Sequence, residues 1–164
     1  MNEAYEIANE QLRLLAIEYR GFSLDLLDKI EPHQCPIILS EFGVWLLDSA
    51  AHTLRFDEHR EIVAMIRTMH VKRASGETID SEQWKSLQAD SLAAVKLWPA
   101  QWLGGEVFPW SPPIARAAMA IALAECQLRK DRGELASMLE IRESQAKQLR
   151  DILSKYGAIR CRYE

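Results

Sequence analysis

The sequence predicts an all-α fold, a single domain in which six or seven helices pack as a bundle. Across most of the 164 residues, apolar side chains recur at alternating steps of three and four, which is the period of an amphipathic helix. Runs of alternating β-branched residues, which would predict strands, do not occur. The length suits one domain with one core, which we expect over residues 1–156, followed by a C-terminal tail, residues 157–164.

Two helices are predicted before the first prolines. The apolar residues of segment 2–20 share one helical stripe, and Gly21 ends that helix. Ser23 can cap a short second helix, which Pro32 stops. The stripe of the first helix comprises Tyr5, Ala8, Leu12, Leu15 and Tyr19.

The third and fourth helices are predicted to form the middle of the bundle. From Pro36 to about Phe56 the chain is apolar almost all round, as expected for a central helix. Asp57 can cap the fourth helix, which Ser75 and Gly76 close. We expect its buried stripe to consist of Ile62, Met65, Ile66 and Met69.

A fifth helix is predicted after residue 80, where Asp80 and Gln83 resemble a capping box, and Pro99 ends or kinks it. Segment 104–113 contains too many glycines and prolines for regular structure. An alanine-rich helix starts at Pro112 and Pro113, and its small side chains let neighbouring helices approach closely.

The last long helix is predicted to begin at a second capping box, formed by Asp131 and Glu134. Its polar interruption, Arg142, lies within an otherwise apolar stripe. Gly157 then marks the start of the tail. The stripe comprises Leu135, Leu139, Arg142, Ala146, Leu149 and Leu153.

The charge is small overall and uneven along the chain. A net charge of −4 does not favour a nucleic-acid partner. Residues 1–63 carry 12 acidic and 5 basic side chains, whereas residues 129–164 carry 6 acidic and 9 basic ones. The two ends can therefore attract each other or present faces of opposite sign to a partner.

Several features predict a cytoplasmic protein with no membrane partner. The segment 1–10 is polar and does not resemble a secretory signal. Charged residues interrupt every apolar run before it reaches the length of about 18 residues that a membrane helix needs. The three cysteines, an odd number, show no pairing pattern typical of a disulfide framework.

No motif for a metal, a cofactor or catalysis is recognisable. The spacing of His33, His52, His59 and His70 matches no metal-binding pattern. Cys35 is the best candidate nucleophile, because amides at a helix start lower the pKa of a thiol, but we prefer to interpret it as a small apolar core residue. The sequence therefore predicts no metal, no cofactor and no enzymatic activity.

Two groups of residues are candidate binding sites. Within 13 residues around a proline-rich turn lie Trp98, Trp102, Phe108 and Trp110. They either anchor a protein partner, since tryptophan dominates interface hot spots, or close one end of the bundle. The second group is a possible polar pocket formed by Asp48, His52 and Arg142, because Asp48 and His52 are four residues apart on one helix face.

Five segments between residues 35 and 153 follow one another in a recognisable order: EFGVWLLDSAAHTL, EHREIVAMIRTM, GETIDSEQW, ARAAMAIALAEC and RESQAKQLRDIL. This succession resembles the alanine-rich helical immunity proteins of bacteria. The resemblance implies a protein that protects the producing cell by binding a toxin, and it carries no catalytic residues with it. The aromatic, proline-rich segment 98–113 differs from that pattern.

We therefore predict a small cytoplasmic binding protein, of immunity or inhibitor type, that acts by occluding a protein partner. Two alternatives stay open. One is an enzyme or ligand-binding helical domain that uses a pocket formed by Asp48, His52 and Arg142. The other is a homo-oligomeric structural or phage-associated protein in which segment 98–113 forms the interface between copies.

Overall fold

A computed structural model describes residues 3–19, 25–54, 57–75, 82, 86, 113–135 and 137–161. These ranges form helices and contain no strand, which confirms the all-α fold class. Three of the helices are short 3₁₀ helices, Asp25–Lys29, Pro32–Gln34 and Ala51–Thr53. The five α-helices of the described ranges are α1 (Glu3–Glu18), α2 (Cys35–Ala50), α3 (Asp57–Ala74), α4 (Pro113–Asp131) and α5 (Met138–Cys161).

Helix α2 lies at the centre of the bundle, as predicted, and contacts α1, α3, α4 and α5. It ends at Ala50 and continues as the 3₁₀ helix Ala51–Thr53, short of the expected end near Phe56. Burying each large apolar side chain fully stabilises the fold by roughly 1.5–3 kcal/mol. The fully buried large residues of α2 are Ile38, Leu39, Phe42 and Leu46.

Helix α1 packs with the predicted stripe. Its side of the core comprises Ala4, Ala8, Leu12, Leu15, Ala16 and, just beyond the helix, Tyr19. Tyr5 alone departs from the prediction, because it is only partly buried and meets the ring of His33 edge-on. The side chain one position earlier, Ala4, takes the buried place.

Helix α3 buries a different face from the predicted one. Met65 and Met69 are 68% and 38% exposed, although both were expected in the core, whereas Ile66 is buried as predicted. His70 occupies a place on the buried face because Gly43 of α2, having no side chain, leaves room for an imidazole ring. The buried face of α3 consists of Val63, Ile66, His70 and Arg73.

The connection between α4 and α5 also corrects the sequence prediction. Gly133 has a φ of 77°, a conformation that glycine adopts readily. The N–H groups of Gly133 and Glu134 donate to the carbonyls of Lys130 and Arg129, at 3.0 and 2.9 Å, and so close α4 in a Schellman motif. The capping box predicted from Asp131 therefore does not form, and Ser137 caps α5 instead by accepting from the Glu140 amide at 3.4 Å.

Because α5 starts later than predicted, the first residues of its predicted apolar stripe lie in solvent. Leu135 is fully exposed in the connection and Leu139 is half-exposed. From Arg142 onward α5 turns toward the core. Its buried residues are Gln145, Ala146, Leu149, Ile152 and Leu153.

Helix α5 runs through Gly157 to Cys161, so the helix extends past the residue at which the sequence predicts a tail. A glycine weakens a helix but does not by itself end it, and tertiary packing compensates for the cost. Gly157 is buried against Lys29 of the 3₁₀ helix Asp25–Lys29. Packing of α5 on that 3₁₀ helix therefore keeps this part of the chain helical.

Within the described ranges, no helix combines the length and the apolar character that crossing a bilayer requires.

Candidate functional site

A cleft of about 250 Å³ lies between α2, α4 and α5. One apolar side chain from each helix contributes to its wall, namely Trp45, Ile121 and Ile141. Polar side chains complete the lining, and they are Ser49, His52, Glu125, Arg129, Glu140, Ser144 and Gln145. The site therefore combines an apolar interior with several hydrogen-bonding groups, as binding clefts commonly do.

Trp45 forms a fixed aromatic wall of the cleft. Its indole ring meets the ring of Phe42 edge-on, with centroids 6.0 Å apart and planes at 66°. Phe42 is fully buried in the core, and edge-to-face contacts of this kind favour one ring orientation. The indole is therefore held in place by the core of the protein.

A charged network ties the end of α2 to α4 beside the cleft. His52 lies on the 3₁₀ helix that follows α2, and its Nε2 is 2.5 Å from Oε2 of Glu125. The other oxygen of Glu125, Oε1, accepts a hydrogen bond from Nε of Arg129 at 2.9 Å. Both carboxylate oxygens of Glu125 are thus engaged, and the charge of Arg129 is balanced within the network.

Gln145 lines the inner side of the cleft and is almost completely buried. Its Nε2 donates to the carbonyl of Ala118 in α4 at 2.9 Å. Its Oε1 accepts from Nη1 of Arg142 at 2.7 Å and from the Tyr19 hydroxyl at 3.2 Å. A single amide therefore links α1, α4 and α5.

The same cluster contains a cation–π contact. The guanidinium of Arg142 lies over the ring of Tyr19, 4.4 Å from its centroid. Burial raises the pKa of Tyr19, so the phenol remains protonated and donates its hydrogen bond to Gln145. Arg142, which the sequence shows as a polar interruption, thus has an aromatic and an amide partner.

The residues of the predicted polar pocket occupy three different places. His52 lines the cleft, and Arg142 contacts it only through Gln145. Asp48 faces α3, where its carboxylate accepts two hydrogen bonds from the guanidinium of Arg67, at 2.5 and 3.2 Å. The structure therefore does not bring Asp48, His52 and Arg142 together around one cavity.

The other members of the site were not predicted to line a pocket. Glu125 is the first of two acidic residues in α4, and a charge within so apolar a run was the available signal. Glu140 and Ser144 carried no such signal, because charged and hydroxyl residues are common on exposed helix faces. Ile121 and Ile141 belong to no predicted stripe, and isoleucine in a helix is ordinarily a core residue.

The aromatic group predicted to bind a partner lies outside the described residues. The group consists of Trp98, Trp102, Phe108 and Trp110, and its role stays a prediction. Among the described residues, no group of three or more His, Cys, Asp or Glu side chains could hold a metal ion.

Cys35 has the properties of a core residue. It is buried, and its Sγ lies 3.9 Å from Oδ1 of Asn9 and 3.8 Å from the carbonyl of Glu31. Burial raises the pKa of the thiol to about 11, and the positive charge of Arg13 offsets this only in part. The lowering expected for a nucleophile at a helix start does not occur.

Comparison with protein-family models, with curated proteins and with solved structures finds no match to this chain.

Proposed function

We propose that the protein is a small binding protein, of immunity or inhibitor type, that occludes a protein partner and receives one of the partner's side chains in the cleft between α2, α4 and α5. The observation that carries this proposal is the size and lining of the cleft. Pockets that bind drug-sized ligands typically measure about 300–1,000 Å³. A cleft of about 250 Å³ is better matched to one anchoring side chain, the usual centre of a protein interface.

The rigidity of the lining supports this role. Trp45 is fixed by Phe42, and Gln145 is fixed by three hydrogen bonds. A preformed pocket loses little conformational freedom when a side chain enters it, so more of the contact energy contributes to affinity. The site would therefore bind without rearranging the bundle.

Exposed apolar residues at the same end of the molecule also support a protein partner. Leu135 and Leu139 lie in solvent just before Glu140 and Ile141, which line the cleft. Large apolar side chains near a pocket supply the surrounding contacts that exclude water from an interface. We further propose a cytoplasmic location, in keeping with the two free buried cysteines, Cys35 and Cys126.

The proposal is tested by filling the cleft. Ser144→Trp places an indole in it, and Ser154→Trp adds the same group on the same helix, at an exposed position outside the lining. Tagged wild-type protein and both variants would be used to capture partners from lysate of the cells that make the protein. We expect a partner that the wild type and Ser154→Trp retain and Ser144→Trp loses. The purified partner's activity should then be inhibited by the wild type and by Ser154→Trp, and not by Ser144→Trp.

Equal capture by the two tryptophan variants would show that the cleft is not the anchor site. Measuring the solution mass of the same three proteins tests whether the partner is a second copy of this chain. If Ser144→Trp converts an oligomer of the wild type to a monomer, the protein occludes no foreign partner through this cleft, and the homo-oligomeric alternative is correct.

A further inference from the structure

We propose that the side chain received by the cleft is an arginine of the partner. This inference rests on the proposed function and specifies the chemistry of the anchor. It follows from the charges of the lining, from the aromatic wall and from a contact of the same kind elsewhere in this chain.

The charges of the lining leave one carboxylate for a ligand. The charge of Arg129 is balanced by Glu125, which also contacts His52. Glu140 lines the cleft as well, and its carboxylate forms no ion pair or hydrogen bond with any residue in the described ranges. Glu140 is therefore a negative charge in the lining that no residue of the described ranges balances, and it complements a cation and repels an acidic anchor.

The walls fit the other parts of an arginine side chain. Trp45 supplies an indole, the aromatic ring that attracts a guanidinium most strongly. Ile121 and Ile141 supply apolar surface for the methylene stem. A planar guanidinium can stack on the indole and still donate two parallel hydrogen bonds to a carboxylate, a combination that the compact ammonium of lysine cannot form.

The chain already contains such an arrangement. The guanidinium of Arg142 lies 4.4 Å from the centre of the Tyr19 ring and donates to Gln145, whose amide also lines the cleft. An arginine thus lies on an aromatic ring beside an oxygen acceptor immediately next to the site. The partner's arginine would repeat that geometry on Trp45 and Glu140.

The test uses three small compounds that share one backbone, the N-acetyl methylamides of arginine, citrulline and leucine. Citrulline has nearly the shape of arginine but carries a neutral urea in place of the guanidinium. Each is titrated into ¹⁵N-labelled protein, and NMR follows the indole N–H of Trp45, the side-chain amide of Gln145 and the backbone amide of Ser144. We expect the arginine compound to bind at least about threefold more tightly than the other two.

Glu140→Gln and Glu143→Gln provide the matched pair of variants. Both residues lie on exposed positions of α5, but only Glu140 lines the cleft. Glu140→Gln should remove the preference for arginine over citrulline, and Glu143→Gln should keep it. The amide spectrum of each variant shows directly whether the fold is intact.

Four results would overturn the inference. Equal affinities for arginine and citrulline would show that the cleft does not recognise the charge. A preference that survives Glu140→Gln would show that Glu140 is not the acceptor of the guanidinium. Binding of the leucine compound without binding of the arginine compound would reject arginine as the anchor while the proposed function stands. If none of the compounds shifts the three resonances, the cleft receives no side chain, and the proposed function fails with the inference.

Discussion

The imidazole of His70 lies directly against Gly43: a Cβ atom at Gly43 would be 3.2 Å from both Cε1 and Nε2 of the ring. Nδ1 of the same ring lies 3.1 Å from the Ser40 hydroxyl, within hydrogen-bonding distance. Ser40 and Gly43, two small residues one turn apart on α2, thus form the surface against which His70 of α3 is buried. Helices α2 and α3 are in close contact there because a side chain is missing.

We expect alanine substitutions at two helical glycines to change stability in opposite directions. Gly43→Ala should lower the free energy of unfolding by about 1 kcal/mol, because the new methyl group crowds a ring that Ser40 and the core hold in place. Gly157→Ala should raise it by about 0.5 kcal/mol, because a Cβ there would be 3.6 Å from Lys29, an ordinary contact, and alanine favours helix. Urea denaturation measures both.

The cause at Gly43 can be isolated in a second background. In a His70→Ala protein the ring is absent, so Gly43→Ala should now stabilise the helix instead of destabilising it. If Gly43→Ala lowers the free energy of unfolding by the same amount in both backgrounds, contacts other than His70 limit the space at Gly43.

The free energy of unfolding should decrease as the pH falls, because His70 becomes protonated. Burial lowers the pKa of His70 to about 4, whereas an unfolded histidine has a pKa of about 6.5. The folded state therefore favours the neutral ring, and this contribution is complete above pH 6.5 and is lost as the pH falls toward 4. Between pH 7.5 and pH 5 we expect a loss of about 2 kcal/mol, measured by urea denaturation.

His70→Asn separates this effect from the titration of other groups. Asparagine at position 70 cannot titrate, so that variant should lose about 2 kcal/mol less than the wild type over the same pH interval. Equal slopes for wild type and His70→Asn would contradict the assignment.

Gln145→Ala should be among the most destabilising substitutions on α5. It leaves the Ala118 carbonyl and the Tyr19 hydroxyl in the core without the hydrogen bonds they form with Gln145, and it opens a cavity. The expected cost is about 2–4 kcal/mol. Gln148→Ala, one turn later on the partly exposed face, should cost less than about 1 kcal/mol, and thermal unfolding can compare the two.

The thiol of Cys35 should be unreactive in the folded protein. With a pKa of about 11, it contains far less thiolate at pH 8 than an ordinary cysteine, and it is also shielded from solvent. We expect alkylation by iodoacetamide to be at least about 100-fold slower than in urea. Mass spectrometry of the peptide that contains Cys35 gives both rates, and similar rates would show that the site opens readily.

The sequence predicts the helices well where one face is strongly apolar. Most of the stripe of α1 is predicted correctly because leucine and alanine occupy its buried face and charged residues occupy most of the rest. The central position of α2 is predicted correctly because that helix is apolar almost all round. On α3 the period is correct and Ile66 is buried as predicted, but Met65 and Met69 are placed on the wrong face. Met65 and Met69 have the same spacing as buried positions, and the choice between faces depends on Gly43 and Ser40, which belong to another helix.

The cleft was less predictable for a related reason. Trp45, Ile121 and Ile141 are apolar residues on three helices, and nothing local in the sequence shows that their side chains leave a space between them. The spacing of Asp48 and His52 places both on one helix face, but it cannot show that Arg67 of α3 binds Asp48. The tertiary structure decides which residue pairs with Asp48.

The hydrogen bond from Tyr19 to Gln145 joins residues that are 126 positions apart. During synthesis on the ribosome, the first helix leaves the exit tunnel long before its partner on the last helix exists. The Tyr19 hydroxyl therefore cannot form this hydrogen bond until residue 145 has left the tunnel, although α1 can already pack on α2 by then. A chain released before residue 145 would lack this hydrogen bond and the packing of α5 on the core, and its exposed apolar surface would distinguish it from the folded protein to the cell's proteases.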